Sequence, residues 1–360
     1  MKKALLFILL SVAAVGCHKS DIIEPDEPQG DPVAVDFAFS GLRAGAVPAS
    51  RAEGDIEAEE LAVNTTVRVL VFQRTGSVAA IASDKFFAEA TYIVREIDGV
   101  RTLVPCNVDS DGKEDLANAA APAEIRLRAA KYDFYAFTPA APIDPSTWEV
   151  TVDYGVDHAS SLTEQVAVGP SYVNAATRKQ SVTLNTLLRR CSQLSFAVER
   201  KSENVNKITI KSATLSKIPG SPITKVLCTA FPLRTSTGGE YTLPSGIFKP
   251  VDGKNYKLAG KDVVLPKGDT EFKLEMTVNF NDSNVDKEVS ATIPHMAFQP
   301  NTQYCFVITL KGGSFSLTLN ILPWDTEYSS DLHLGDFHYG SVDLGSWSLD
   351  NDLGFNIGAF

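Results

Sequence analysis

The sequence predicts an all-β protein: two β-sandwich domains followed by an extended apolar tail. Three patterns carry that prediction. In Glu271–Phe280 the residues Phe272, Leu274, Met276, Val278 and Phe280 are apolar and every residue between them is polar, the period of two of a half-buried strand. Tyr304, Phe306, Ile308 and Leu310 repeat the pattern, Lys311-Gly312-Gly313-Ser314 turns the chain, and Phe315, Leu317, Leu319 and Ile321 return it as a hairpin. Val33, Val35, Phe37 and Phe39 alternate in the same way near the start. The chain has 360 residues, 44% of them hydrophobic, which at ~100–200 residues per domain is about two domains. Its 33 Lys+Arg against 44 Asp+Glu give a net charge of −11. Nucleic-acid binding needs a basic face to displace counterions, so this balance argues against that function.

The chain opens on Lys2 and Lys3, then an apolar run from Ala4 to Val15 that is too short to span a bilayer. This is the form of a secretory signal. Ala14-Val15-Gly16-Cys17 has the form of a lipobox, with Ala14 where Leu is commoner. The expectation is a signal peptide over residues 1–16, a cut between Gly16 and Cys17, and acylation (palmitate included) of Cys17. The alternative is an ordinary signal peptide with a chance cysteine. Several acyl chains anchor firmly, at ~0.8 kcal/mol per buried CH₂. No apolar run after residue 16 approaches ~20 residues, so no membrane-spanning helix is expected. Residues 17–32 then form a lipidated tether whose Pro, Asp and Glu content opposes folding.

Val33–Ser40 is the first strand, burying one face. Gly41-Leu42-Arg43 and Pro48-Ala49-Ser50-Arg51-Ala52-Glu53-Gly54 follow, a small, polar stretch with two arginines that suits a protease. Further strands are expected at Thr66–Gln73, Glu124–Arg128 and Tyr132–Thr138. Short helices are expected near Leu162–Val168 and Val173–Lys179. A boundary near residue 180 divides the chain into domains 31–180 and 181–330. In the second, Leu194, Phe196 and Val198 form one strand, and Ile208 and Ile210 mark another.

The search for chemistry is mostly negative. No nucleophile elbow, H-E-x-x-H, P-loop or dinucleotide fingerprint occurs, so no enzyme, cofactor or metal is expected. Asn107-Val108-Asp109-Ser110-Asp111-Gly112 matches the first half of a calcium loop, but its twelfth position is Asn118 rather than Glu. Asp and Gly equally suit a solvated hairpin turn, the favoured reading. His333 and His338 sit in a glycine-rich tail that holds no rigid site. Cys106, Cys191, Cys228 and Cys305 are widely spaced and leave the disulfide pairing open; Cys191 and Cys305 lie in apolar stretches and read as buried thiols.

Residues 331–360 carry Phe337, Tyr339, Val342, Leu344, Trp347, Leu349, Leu353, Phe355, Ile357 and Phe360 between Gly, Ser, Asp and Asn. So much apolar surface must be covered, either by its own domain or by a neighbour through strand addition.

Ordered along this chain are the lipobox at Cys17, Tyr132-Asp133-Phe134-Tyr135-Ala136-Phe137-Thr138-Pro139, Leu187-Leu188-Arg189-Arg190-Cys191-Ser192-Gln193-Leu194-Ser195-Phe196, Phe298-Gln299-Pro300-Asn301-Thr302-Gln303-Tyr304 and Ile321-Leu322-Pro323-Trp324. In these the sequence resembles the fimbrillins, subunits of the type V pili of Bacteroidales, with Cys191 standing where family members carry a small residue. The resemblance implies two transthyretin-like sandwiches and assembly by donor-strand exchange at the cell surface. An arginine-specific protease removes the first strand, and a neighbour's C-terminal strand fills the groove. Mapped here, the removed strand is Val33, Val35, Phe37 and Phe39, cut after Arg51 or, second, Arg43. The donor strand is Leu353, Phe355, Ile357 and Phe360 within residues 331–360. The expected partners are other fimbrial subunits, the outer membrane through the precursor's lipid, and a host or bacterial surface ligand. A stalk subunit is the first reading. A tip or anchor subunit, or a glycan-binding surface lipoprotein using Trp148, Trp324 and Trp347, are the alternatives, although core packing is expected of those tryptophans. Four large side chains at ~1.5–3 kcal/mol each give the groove strand roughly 6–12 kcal/mol of gross burial. Tethering at an effective concentration in the ~mM range keeps the chain's own strand in place until it is cut.

Overall fold

β-branched and aromatic residues at alternate positions build nearly every element of the computed structural model, which describes residues 28–39, 41–43, 58–74, 85–167, 179–226, 238–311, 314–322 and 324. The first eleven strands are β1 Gln29–Phe39, β2 Leu42–Arg43, β3 Ala58–Glu59, β4 Thr66–Gln73, β5 Phe86–Ile97, β6 Val100–Pro105, β7 Arg126–Thr138, β8 Glu149–Val152, β9 Ala159–Ala167, β10 Lys179–Leu184 and β11 Leu187–Arg189. One sheet runs in the order β3-β2-β11-β9-β7-β4-β5-β6, and β1 and β10 join it through the start of β7. β7 is the corner. Its residues 126 and 127 pair with β1, while residues 130–138 pair with β9. The strands expected separately at Glu124–Arg128 and Tyr132–Thr138 are therefore joined in one long strand. Between the layers lie Val35, Phe37, Val67, Val69, Val71, Tyr92, Ile125, Leu127, Phe134 and Val182.

The later strands are β12 Ser192–Arg200, β13 Ile208–Ile218, β14 Ile223–Val226, β15 Gly239–Thr242, β16 Lys249–Val251, β17 Lys254–Val264, β18 Lys267–Phe280, β19 Asp286–Phe298, β20 Gln303–Lys311 and β21 Ser314–Leu322. They form a five-stranded sheet, β16-β17-β12-β20-β21, and a four-stranded sheet, β15-β13-β18-β19. Phe272 of β18 stacks on Phe306 of β20 at 5.7 Å, and Phe306 stacks on Phe196 of β12 at 5.7 Å. The alternating residues read from the sequence thus meet in one core.

The first-half sheet takes in strands as far as Arg189, and the strands of the later sheets begin at Ser192. A two-stranded ladder joins the halves: β8 pairs with β14 from Ile223↔Val152 to Val226↔Glu149. Beside it, Tyr154 stacks on Tyr241 at 4.6 Å and donates its hydroxyl to the Pro219 carbonyl at 2.7 Å.

Two expectations fail. Residues 29–32, placed in the tether by their composition, open strand β1, where Gln29 pairs with Ala129 of β7. The stretch Leu162–Val168 was expected to be helical, but residues 159–167 are strand β9, paired with β7 across nine residues, from Thr138↔Ala159 to Ala130↔Ala167. The ladder outweighs a weak local helical tendency. The second expected helix, Val173–Lys179, lies outside the described residues except Lys179, which opens strand β10.

Candidate functional site

The candidate site is the seat of β1. Its outer residues follow from a change of partner. At its N-terminal end β1 runs antiparallel to β7, with Val33↔Leu127 and Ala34↔Arg126, and a register irregularity precedes Val33. From Ala34 to Phe39 it runs parallel to β10, paired with Lys179 to Leu184. Where the two ladders overlap, Ala34 is buried, and this interrupts the alternation the sequence suggests. Val33 and Phe39 are half-buried, whereas Val35 and Phe37 are 2% and 6% exposed. The four side chains do not contribute equally; Val35 and Phe37 are the anchors.

Phe37 meets Tyr92 edge-on at 5.3 Å and Phe134 edge-on at 5.6 Å. The Val35 amide donates to the Ile125 carbonyl at 3.0 Å, and Lys179 pairs with Asp36 at 3.2 Å on the solvent side. Burial pushes the Tyr92 hydroxyl well above its usual range, in keeping with a dry pocket under Phe37. A strand held in this way has a paired neighbour along its length and an aromatic socket beneath it.

Arg43 lies in β2, whose backbone pairs with β11 on one side (Leu188↔Arg43) and β3 on the other (Arg43↔Ala58). Arg51 lies between β2 and β3, outside the described residues, as do Gly16, Cys17, Leu353, Phe355, Ile357 and Phe360.

A second cluster stands beside β2. Arg189, on β11, is buried, with its side chain 4% exposed. Its Nε donates to Asp157 Oδ2 at 2.8 Å, and its Nη2 lies 3.5 Å from Glu59 Oε2 on β3. Its guanidinium carbon sits 4.5 Å from the ring centre of Trp324, which follows β21 and is 6% exposed. Sequence reasoning missed this group. The one available signal was the Arg189-Arg190 pair within the strand-forming stretch Leu187–Phe196.

The other candidates settle into structural roles. Asn107–Gly112 is a tight hairpin: Asp109 Oδ1 accepts from the Asp111 and Lys113 amides at 2.9 Å each, and Gly112 adopts a left-handed φ of +77° against Ala140 and Ala141. Among the described residues no cluster of His, Cys, Asp and Glu has metal-binding form. Cys106, Cys191 and Cys305 are buried free thiols, and burial raises Cys191 to about 12. Trp148 packs in the core on Phe72 at 5.0 Å and Phe86 at 5.1 Å, so neither it nor Trp324 presents a face to a sugar. Trp347, His333, His338 and Cys228 lie outside the described residues.

Comparison with known proteins completes the picture. The sequence matches the fimbrillin-like family over residues 32–328. No curated protein matches it. Solved structures of similar fold include a candidate cell adhesion protein of Bacteroides fragilis (TM-score 0.60, 16% identity, 84% of this chain and 100% of that one). Another is from Bacteroides ovatus (0.53, 13%, 83% and 99%). A third is from Bacteroides uniformis (0.50, 14%, 81% and 98%). At these identities the likeness is one of fold.

Proposed function

This chain belongs to the fimbrillin-like family, and from that premise we propose that it is a stalk subunit of a surface fimbrium, matured by proteolysis and polymerised by donor-strand exchange. On this reading it is exported as a lipoprotein acylated at Cys17 and held at the outer membrane until an arginine-specific protease hydrolyses one peptide bond. The segment carrying β1 then leaves, and the C-terminal segment of a neighbour, bearing Leu353, Phe355, Ile357 and Phe360, enters the vacated seat. The solved structures of cell adhesion candidates that share its fold agree with a place at the cell surface.

The observation that carries the reading is the way β1 is held. It is the first strand among the described residues, it lies in a six-residue parallel ladder with β10, and it plugs an apolar socket with Val35 and Phe37. Taking it away leaves a slot with free backbone groups and exposed Tyr92 and Phe134. An alternating apolar segment from another subunit satisfies both needs. A protease binds extended, unpaired backbone, and Arg43 sits in a two-sided ladder; this favours Arg51 as the cut.

N-terminal sequencing of fimbriae sheared from cells tests the reading. A start at Ala52 is expected, and a start at Ala44 moves the cut to Arg43. A start at acylated Cys17 in every molecule overturns the stalk assignment and leaves an anchor. Deleting residues 331–360 abolishes polymerisation of a stalk subunit and spares a tip subunit. An uncut precursor that polymerises as readily as the trimmed protein refutes exchange altogether.

A further inference from the structure

We propose that Arg189 couples the maturation cut to the root of the C-terminal segment, holding Trp324 in place while the chain between β2 and β3 is intact and releasing it once β2 is gone. This rests on the maturation reading above and adds to it a means by which the tail is kept from acting early.

The argument starts from where Arg189 stands. Its strand, β11, lies between β9 and β2, with Arg189↔Ala159 on one side and Leu187↔Leu42 and Leu188↔Arg43 on the other. Among the described residues, β3 pairs only with β2, through Leu42↔Glu59 and Arg43↔Ala58. Glu59, one of the two carboxylates beside the Arg189 guanidinium, is therefore positioned by β2. Trp324 covers the same guanidinium from two residues beyond the end of β21. Three separate parts of the molecule thus meet on one buried cation: Glu59 downstream of the cut, Asp157 in the connection before β9, and Trp324 just after β21, ahead of the C-terminal segment.

Hydrolysis after Arg51 adds one water across the peptide bond, giving a carboxylate on Arg51 and an amine on Ala52. When the upstream fragment leaves, β2 leaves with it. β11 then has an open edge, β3 has lost its ladder, and Glu59 is no longer fixed over Arg189. Water reaches the guanidinium, and a cation held on an aromatic face by exclusion of water binds more weakly when solvated. Trp324 loses its seat, and the residues after it are freed to reach a neighbour. Before the cut the same contact keeps the segment's root fixed on its own subunit.

The test is amide exchange, read by mass spectrometry on the full chain before and after cutting with an arginine-specific protease and removing the fragment. Peptides covering 314–324 should exchange at least tenfold faster after the cut, while those covering 267–298 change less than twofold. In uncut Arg189→Gln the 314–324 peptides should already exchange at the faster rate, and cutting should add nothing further. A purely structural role for Arg189 does not predict that loss of response to the cut. Glu59→Gln, at a half-exposed side chain, keeps the fold if Arg189→Gln does not, and should raise the same exchange about threefold. Unchanged exchange at 314–324 in the cut chain, or in both uncut variants, overturns the coupling. Absence of cleavage after Arg51 refutes the maturation route instead, and the uncut variants still decide the coupling.

Discussion

Replacing Phe37 with Ala separates a strand that seals a core from one that merely lies on it. Phe37 is 6% exposed and meets two rings edge-on, Tyr92 at 5.3 Å and Phe134 at 5.6 Å. Removing a buried Phe costs about 3–5 kcal/mol, because the contacts vanish and the surroundings close only partly. Edge-to-face pairs contribute ~0.5–1.5 kcal/mol each within that figure. We take about 4 kcal/mol. At ~1.4 kcal/mol per decade this is roughly a thousandfold rise in the population with β1 detached. Amide exchange of Ala34–Phe39 in the uncut chain measures it directly. After cleavage, the rate at which the β1 fragment dissociates should rise by a comparable factor. Ala38→Ser, at an exposed position of the same strand, is the control and should change neither by more than about twofold. A Phe37→Ala effect below about 1 kcal/mol would show that the socket does not hold β1, and the vacated-seat argument would fail with it.

Three further outcomes are expected. Asp133→Asn leaves the buried Arg74 without the carboxylate that its Nε reaches at 3.0 Å, so urea unfolding should show a loss of about 3–5 kcal/mol; the Arg74→Leu/Asp133→Leu double variant should recover most of it. Gly112→Ala forces a side chain into a left-handed backbone with a Cβ 2.7 Å from the Ala140 carbonyl carbon, and should lower stability by more than about 2 kcal/mol in the same assay. Burial lowers His158 from 6.5 to about 4, with Asp153 opposing the shift. The folded state resists protonation, so its stability is whole above pH 6.5 and falls as the pH drops toward 4, by roughly 3 kcal/mol at most. His158→Gln should flatten that slope in unfolding curves taken from pH 7 to pH 4.

Legibility followed the physics of each segment. β18 announced itself from Phe272 to Val278 because those side chains are buried while the ones between them are only half-buried, and period two survives such an environment; β20 was legible by the same spacing although Gln303, Cys305 and Val307 on its other face are buried as well. β18 was read from Glu271, yet it begins at Lys267, whose ammonium is buried and donates to the carbonyls of Thr270 at 2.9 Å and Met296 at 2.6 Å. No local pattern marks a lysine satisfied by carbonyls, one of them from another strand. β9 misled for a related reason: Ser160, Ser161 and Thr163 are buried against neighbouring strands, and small polar residues carry no strand signature until those neighbours are known. In the site, the alternation of β1 was visible, but the burial of Ala34 and the lesser roles of Val33 and Phe39 were not, since they arise where one pairing partner hands over to another. Arg189 was hidden because a charge in a sequence reads as solvated, and only the fold brings Asp157, Glu59 and Trp324 to it.

The ladder between β8 and β14 has a mechanical consequence. A pull that parts the two halves must break the four residue pairs of this ladder and unstack Tyr154 from Tyr241. In the stalk subunit proposed above, these contacts would tie the two halves together under tension, and a fibre of such subunits would bend first where one molecule grips the next.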